Sequence, residues 1–141
     1  MSHLIFVYGT LKQGFRNHHI NHGERLPGVF HTVAALPLYV VGPNHLPWLV
    51  NAPGQGEPVA GELYRVDDAG LARMDELEQI ERPDWYLRQP LQVRGEDGRV
   101  WDCEVYFGAA SRLQLDTVHL GPLPAYTQEH AALRERALAA G

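Results

Sequence analysis

The sequence predicts an α+β domain in which short strands outnumber helices, and three observations carry the prediction. Apolar or alternating runs of strand length recur at 4–7, 46–50, 59–66, 85–93 and 100–107, each bounded by glycine- or proline-rich turns. One segment near 69–78 instead spaces its apolar residues, Leu71, Met74 and Leu77, for a helix, with Asp67 and Asp68 ahead of it as the N-cap. The 141 residues are 45% hydrophobic and 21% charged, ordinary for a soluble globular chain and enough for a single domain, 1–141, with its own core.

The first run, Leu4-Ile5-Phe6-Val7, is rich in β-formers and stops at Tyr8-Gly9-Thr10-Leu11. It reads as a buried central strand that enters a sharp turn. Gly9 permits the turn where a side chain would clash, and the amides of Gly9, Thr10 and Leu11 can then converge as an anion-binding nest. The polar stretch 12–23 reads as a loop and a short helical segment capped near Gly23. His18 and His22 are four apart, a metal-ligand spacing, but no glutamate lies between them and no third ligand accompanies them. No metal is expected; Asn17 and His18 are expected to tie down the glycine turn.

Residues 29–41 hold one or two strands with an irregularity at Pro37. Gly42-Pro43-Asn44-His45 turns the chain into 46–50, and a second turn over 52–56 leads to 59–66. That run alternates as a half-buried strand, and Gly61 marks a close backbone approach. After the helix, Arg82-Pro83-Asp84 breaks the pattern. Strand 85–93 returns through the hairpin turn Gly95-Glu96-Asp97-Gly98 into 100–107. Cys103 shares a face with Val105 and Phe107, as a core thiol would. Thr127 caps a final helix over 128–140.

Net charge is −5 with histidine neutral, so neither nucleic acid nor an anionic membrane is an expected partner. Met1-Ser2-His3 lacks a basic leader, and no apolar run reaches membrane-spanning length. The one cysteine excludes an internal disulfide; the expected compartment is the cytoplasm. Neither a Gly-x-Ser-x-Gly elbow nor a Cys/His pattern points to an acyl-enzyme.

The helix carries the most informative acid. On a wheel of about 100° per residue, Glu78 falls within about 20° of Leu71 on the apolar face, whereas Glu76 lies about 140° away, toward water. A carboxylate on the inward face is costly unless it is paired, hydrogen-bonded or functional. Two readings follow: Glu78 sits at a site, or the helix frays there and Glu78 pairs with an arginine at a rim.

Five segments together resemble the gamma-glutamylcyclotransferase-like superfamily, most closely its gamma-glutamylamine cyclotransferase branch. They are Phe6-Val7-Tyr8-Gly9-Thr10-Leu11-Lys12-Gln13-Gly14 with Asn17-His18; Leu36-Pro37-Leu38 with Gly42; and Leu46-Pro47-Trp48-Leu49. The fourth is Gly54-Gln55-Gly56 with residues 59–67, and the fifth is Met74-Asp75-Glu76-Leu77-Glu78 with Tyr86 and Arg88. The match runs over about 4–93 and is poor beyond Phe107. The resemblance implies a small mixed β-barrel flanked by a few helices. It implies cyclisation of a γ-glutamyl group to 5-oxoproline with release of an amine and no cofactor. It places the substrate-binding loop on Tyr8, Gly9, Thr10 and Leu11 and the acid/base glutamate on Glu78. Gln79 stands where many glutathione-type relatives have glycine.

The chemistry suits these residues. The substrate's own α-amine must attack its γ-amide carbonyl, and at neutral pH that amine is mostly protonated, with a reference pKa of about 8. A carboxylate can take the proton and return it to the leaving amine, and partial burial would raise its pKa toward that task. The loop amides would hold the α-carboxylate or a developing oxyanion. Tyr8 and Tyr86 are expected to line the pocket. A non-catalytic binding or interaction domain with the same pocket is the alternative, and hydrolysis to free glutamate a third reading.

Overall fold

Strand β1 (Ser2–Val7) has a partner on each side. It pairs antiparallel with β6 (Ala60–Asp67) from Ser2 opposite Asp67 to Val7 opposite Glu62. It pairs parallel with β8 (Val100–Gly108) at Ile5 and Phe6. From β8 the pairing continues antiparallel through β7 (Tyr86–Arg94) and β3 (Phe30–Thr32) and returns to β6. The strands β1-β8-β7-β3-β6 therefore close on themselves, with the short β2 (Glu24–Arg25) added to β6. This is the small mixed barrel that the resemblance implies, mixed because of the parallel β1–β8 pair. A second sheet orders β5 (Leu46–Leu49), β4 (Leu38–Val41) and β9 (Val118–Leu120). The helices are α1 (Asp68–Glu78), α2 (Arg112–Leu115) and α3 (Gln128–Ala140). The computed structural model describes residues 2–115 and 117–140, apart from the side chains of Gln114 and Leu115; the end residues of the expected 1–141 span lie outside it. Among the described residues no helix is long and apolar enough to cross a membrane.

Two clusters of buried side chains explain why β1 is apolar throughout its second half. Phe6 joins Phe30, Leu63, Val93 and Val105, one or more from every strand of the ring, in the barrel interior. Ile5 and Val7 point the other way and pack with Tyr64, Val66, Leu71 and Met74 beneath α1. Both faces of the strand are covered, so its pattern is continuous rather than alternating. The same covering makes Tyr64 and Val66 of β6 buried beside Leu63, where alternation alone predicts a half-buried strand. Fully burying Met74 alone stabilises the helix–sheet contact by about 2–3 kcal/mol. At Gly61 a Cβ would lie 2.5 Å from the Val7 carbonyl oxygen, the close approach that the sequence suggests.

The expected helical segment before Gly23 is only a 3₁₀ turn, His18–Ile20. Strand β9 and helix α2 carry no clear periodicity and are not anticipated. Cys103 is buried, its Sγ donating to the Leu91 carbonyl at 3.3 Å, and burial pushes the thiol up to about 12, the character of a core residue.

Candidate active site

The turn that ends β1 is held by its carbonyls, which leaves its amides free. Gly9 O accepts from the Lys12 amide at 3.1 Å and Thr10 O from the Asn17 amide at 2.9 Å. Leu11 O accepts from Asn21 Nδ2 at 3.1 Å and lies 3.3 Å from His18 Nδ1. Asn17 Nδ2 also donates to Thr10 Oγ1 at 2.9 Å. Asn17 and His18 thus tie down the glycine turn, as the sequence suggests. Glu62 of β6 secures the far end by accepting the Gln13 amide and the Tyr64 hydroxyl, each at 2.8 Å. Among the described residues the amides of Gly9, Thr10 and Leu11 have no protein acceptor. Gly9 is required by proximity: a Cβ there would stand 2.8 Å from Pro47 Cγ.

Helix α1 delivers its last residue to the same place. Asp67 caps it by accepting the Gly70 amide at 2.7 Å. Leu71 and Met74 fasten one face to the barrel, and this sets the direction of every other side chain on the helix. Asp75 accepts from the Arg88 guanidinium and, at 2.6 Å, from the Tyr106 hydroxyl. Arg88 Nε also reaches Glu104 at 3.2 Å. One turn farther on, Glu78 makes no hydrogen bond or ion pair with any described residue. The helix therefore does not fray before Glu78, and the arginine at the rim pairs with Asp75 instead. Gln79 follows as the C-cap at φ 54° and ψ 50°, a left-handed conformation, and its amide closes on the carbonyls of Asp75 and Glu76.

Tyr8, Gly9, Thr10, Leu11, Glu78 and Tyr86 all line one cavity of about 240 Å³. Burial in its wall pushes the Glu78 carboxyl up to about 7, against the pull of the Arg134 guanidinium. Both tyrosines are buried, and their hydroxyls are engaged by main chain. Tyr8 donates to Tyr106 O at 2.6 Å and accepts from the Leu49 amide at 3.4 Å; Tyr86 donates to Pro47 O at 2.6 Å. They give the cavity ring surface and pin the ends of β5, β7 and β8 around it. Trp48, 4.4 Å from the Tyr86 ring centroid and 4.9 Å from that of Trp85, backs this wall.

Two lining residues have no sequence signal ahead of the structure, Tyr106 and Arg134. Tyr106 sits in an alternating strand where its side chain reads as packing. Arg134 comes from α3, which has no fully buried residue and no clear apolar face. That helix is docked by polar ties to the segment after the glycine turn. Lys12 Nζ donates to Tyr126 O, Gln128 Nε2 to Gly14 O at 3.0 Å, and Arg16 pairs with Glu135 at 2.8 Å. Arg134 Nη1 donates to Asn44 O at 3.1 Å.

A family model described as gamma-glutamyl cyclotransferase, AIG2-like, matches residues 5–125, which extends the likeness well past residue 93. A protein of Rattus norvegicus named gamma-glutamylaminecyclotransferase is 42% identical over 118 residues, covering 75% of this chain and 77% of that one. A protein of Arabidopsis thaliana with gamma-glutamylcyclotransferase in its name is 48% identical over 96 residues, 64% of this chain. The chain spans 50% of the length of that plant relative. The crystal structure of an AIG2-like protein from Mus musculus superposes with a TM-score of 0.73 at 36% identity, covering 91% of this chain and 90% of that one.

Proposed function

The chain belongs to the gamma-glutamyl cyclotransferase, AIG2-like family, and from that premise we propose that it converts a small γ-glutamylamine-like compound to 5-oxoproline and a free amine, with Glu78 as general acid/base. The observation that carries the reading is Glu78 itself. It is a carboxyl with no hydrogen-bond or ion-pair partner among the described residues, held at the end of α1 in a cavity with free amides, with a pKa raised to about 7 by burial. A base poised near neutrality is what an amine with a pKa of about 8 requires.

In this reading the neutral α-amine of the substrate attacks its own γ-amide carbon. A nitrogen–carbon bond forms, and Glu78 accepts the proton that the attacking nitrogen sheds. The bond from that carbon to the leaving nitrogen breaks as Glu78 returns the proton to it. No electrons are exchanged with any other group, and Glu78 ends ionised as it began. The amides of Gly9, Thr10 and Leu11 bind an anionic oxygen of the substrate. Tyr8 and Tyr86 present ring faces that fold the γ-glutamyl chain toward an attack geometry, which is worth much in an intramolecular reaction. The lone buried cysteine is in keeping with a reducing compartment such as the cytoplasm.

The test is incubation with a panel of γ-glutamyl amines and amino acids, with 5-oxoproline and free glutamate both assayed. Formation of 5-oxoproline is expected. Free glutamate in its place would mean hydrolysis, and no product from a folded protein would leave a binding domain.

A further inference from the structure

Arg134 differs from Arg16, Arg25 and Arg88 in having no acid within ion-pair distance among the described residues, its electrostatic counterpart being the Glu78 carboxyl. Arg16 pairs with Glu135, Arg25 with Glu62, and Arg88 with Asp75 and Glu104. Among the described residues Arg134 has only one hydrogen bond, from Nη1 to the uncharged carbonyl of Asn44 at 3.1 Å. Its Nε is buried and has no partner. Its neighbour Glu135 is occupied by Arg16. The guanidinium lines the same cavity as Glu78 and the glycine-turn amides. A half-buried guanidinium facing a small cavity, with Glu78 in the same lining but not in ion-pair contact with it, is incompletely compensated, and its fork geometry matches a carboxylate or a phosphate.

We propose that Arg134 binds a carboxylate of the substrate, giving the cavity an anion site contributed by the C-terminal helix in addition to the loop amides. This rests on the cavity being the γ-glutamyl site. The residue lies beyond the span 5–125 over which the family model matches. The carboxylate has two possible sources within one chemistry: the α-carboxylate of the glutamyl part, or a carboxylate carried by the amine to be released. The docking of α3 onto the segment after the glycine turn, through Gln128, Glu135 and the Tyr126 carbonyl, fixes the guanidinium relative to the loop amides. A substrate with correctly spaced groups can then engage both.

The experiment compares wild type, Arg134→Gln and Arg134→Lys on two probes, a γ-glutamyl alkylamine and a γ-glutamyl amino acid, and measures 5-oxoproline binding by calorimetry. Arg134→Gln should raise KM by roughly 10- to 100-fold, the size of a lost hydrogen bond between charged groups, with a smaller change in kcat. Arg134→Lys, which keeps the charge but not the fork, should recover part of the loss. If the glutamyl α-carboxylate is the partner, both probes suffer equally and 5-oxoproline binding weakens. If the partner is on the leaving amine, only the γ-glutamyl amino acid suffers and 5-oxoproline binding holds. Arg136→Gln removes an exposed charge from the same helix outside the cavity lining and should leave KM within about twofold, which separates ligand binding from the overall charge of the helix. Unchanged KM for both probes in a folded Arg134→Gln, or a fall in kcat alone, would overturn the proposal. A wild-type protein that neither makes nor binds 5-oxoproline would instead overturn the underlying reading of the cavity.

Discussion

Asp75 and Glu78 lie one helical turn apart, yet their surroundings are opposite. Around Asp75 the molecule is saturated: the Arg88 guanidinium, the Tyr106 hydroxyl and, through Arg88, Glu104 form a closed polar network on the flank of β7 and β8. Around Glu78 it is open: ring faces, free amides and a cavity, with no hydrogen-bond or ion-pair partner among the described residues and only the more distant pull of Arg134 on the charge. The same residue chemistry is structural in one place and titrates near neutrality in the other. Environment, not residue type, separates the roles of two carboxyls.

The sharpest way to break this contrast is to neutralise each acid in turn. Glu78→Gln should lower kcat by roughly 10²-fold or more, the usual contribution of a general acid/base, with fold and substrate affinity kept. Its stability should rise at neutral pH. A glutamate with a raised pKa in the folded state binds its proton more tightly there than in the unfolded chain. Stability is therefore lost as pH climbs from about 4.3 through about 7, and the substitution relieves that loss. The gain is roughly 1–3 kcal/mol at pH 8, since the carboxyl keeps some contact with the cavity, and it should vanish below about pH 4. Glu76→Gln, two residues away and exposed, should change neither property. Thermal melts across pH, paired with turnover, check all of these.

Asp75→Asn should show the mirror image. It leaves Arg88 with a weaker partner in a partly buried setting, costing about 1–3 kcal/mol, while turnover per folded molecule stays within a few-fold. A denaturant titration and an active-site-normalised rate measure both. A large loss of rate without loss of stability would mean that the network, too, belongs to the chemistry.

The barrel and the Glu78 half of the site were legible because their signals are local. Apolar runs with turn residues mark strands, and an N-cap followed by Leu71 and Met74 orients a helix well enough to separate Glu78 from Glu76. The resemblance added the closed ring and the role proposed for the loop. What periodicity could not show is anything set by polar ties across the chain. Arg134 reaches the cavity because Gln128 and Glu135 find Gly14 and Arg16 more than a hundred residues away, and no spacing rule encodes that. The partners of the tyrosine hydroxyls are hidden from the sequence for a similar reason. The strand pattern puts Tyr8 at the cavity, but only the fold shows its hydroxyl occupied by Tyr106 O.

That occupancy revises what Tyr8→Phe does. The sequence alone suggests unchanged stability and weaker binding. With the hydroxyl committed to main chain, the substitution should instead cost about 1 kcal/mol of stability and change KM only slightly. A chemical melt beside steady-state kinetics separates the two forecasts.

The smallest expected effect is at the helix end. Gln79 adopts a left-handed conformation that glycine adopts without strain, so Gln79→Gly should stabilise by a few tenths to about 1 kcal/mol, read as a modest rise in Tm. If activity changes as well, the Gln79 side chain at the cavity wall takes part in substrate selection.

The contrast between the two acids stands most directly on the titration of Glu78. With carboxyl-labelled glutamate, the Glu78 resonance, assigned by its absence in Glu78→Gln, should titrate with a midpoint near 7. A midpoint near the ordinary glutamate value of about 4.3 would contradict it, because Glu78 would then be a solvated acid no different from Glu76.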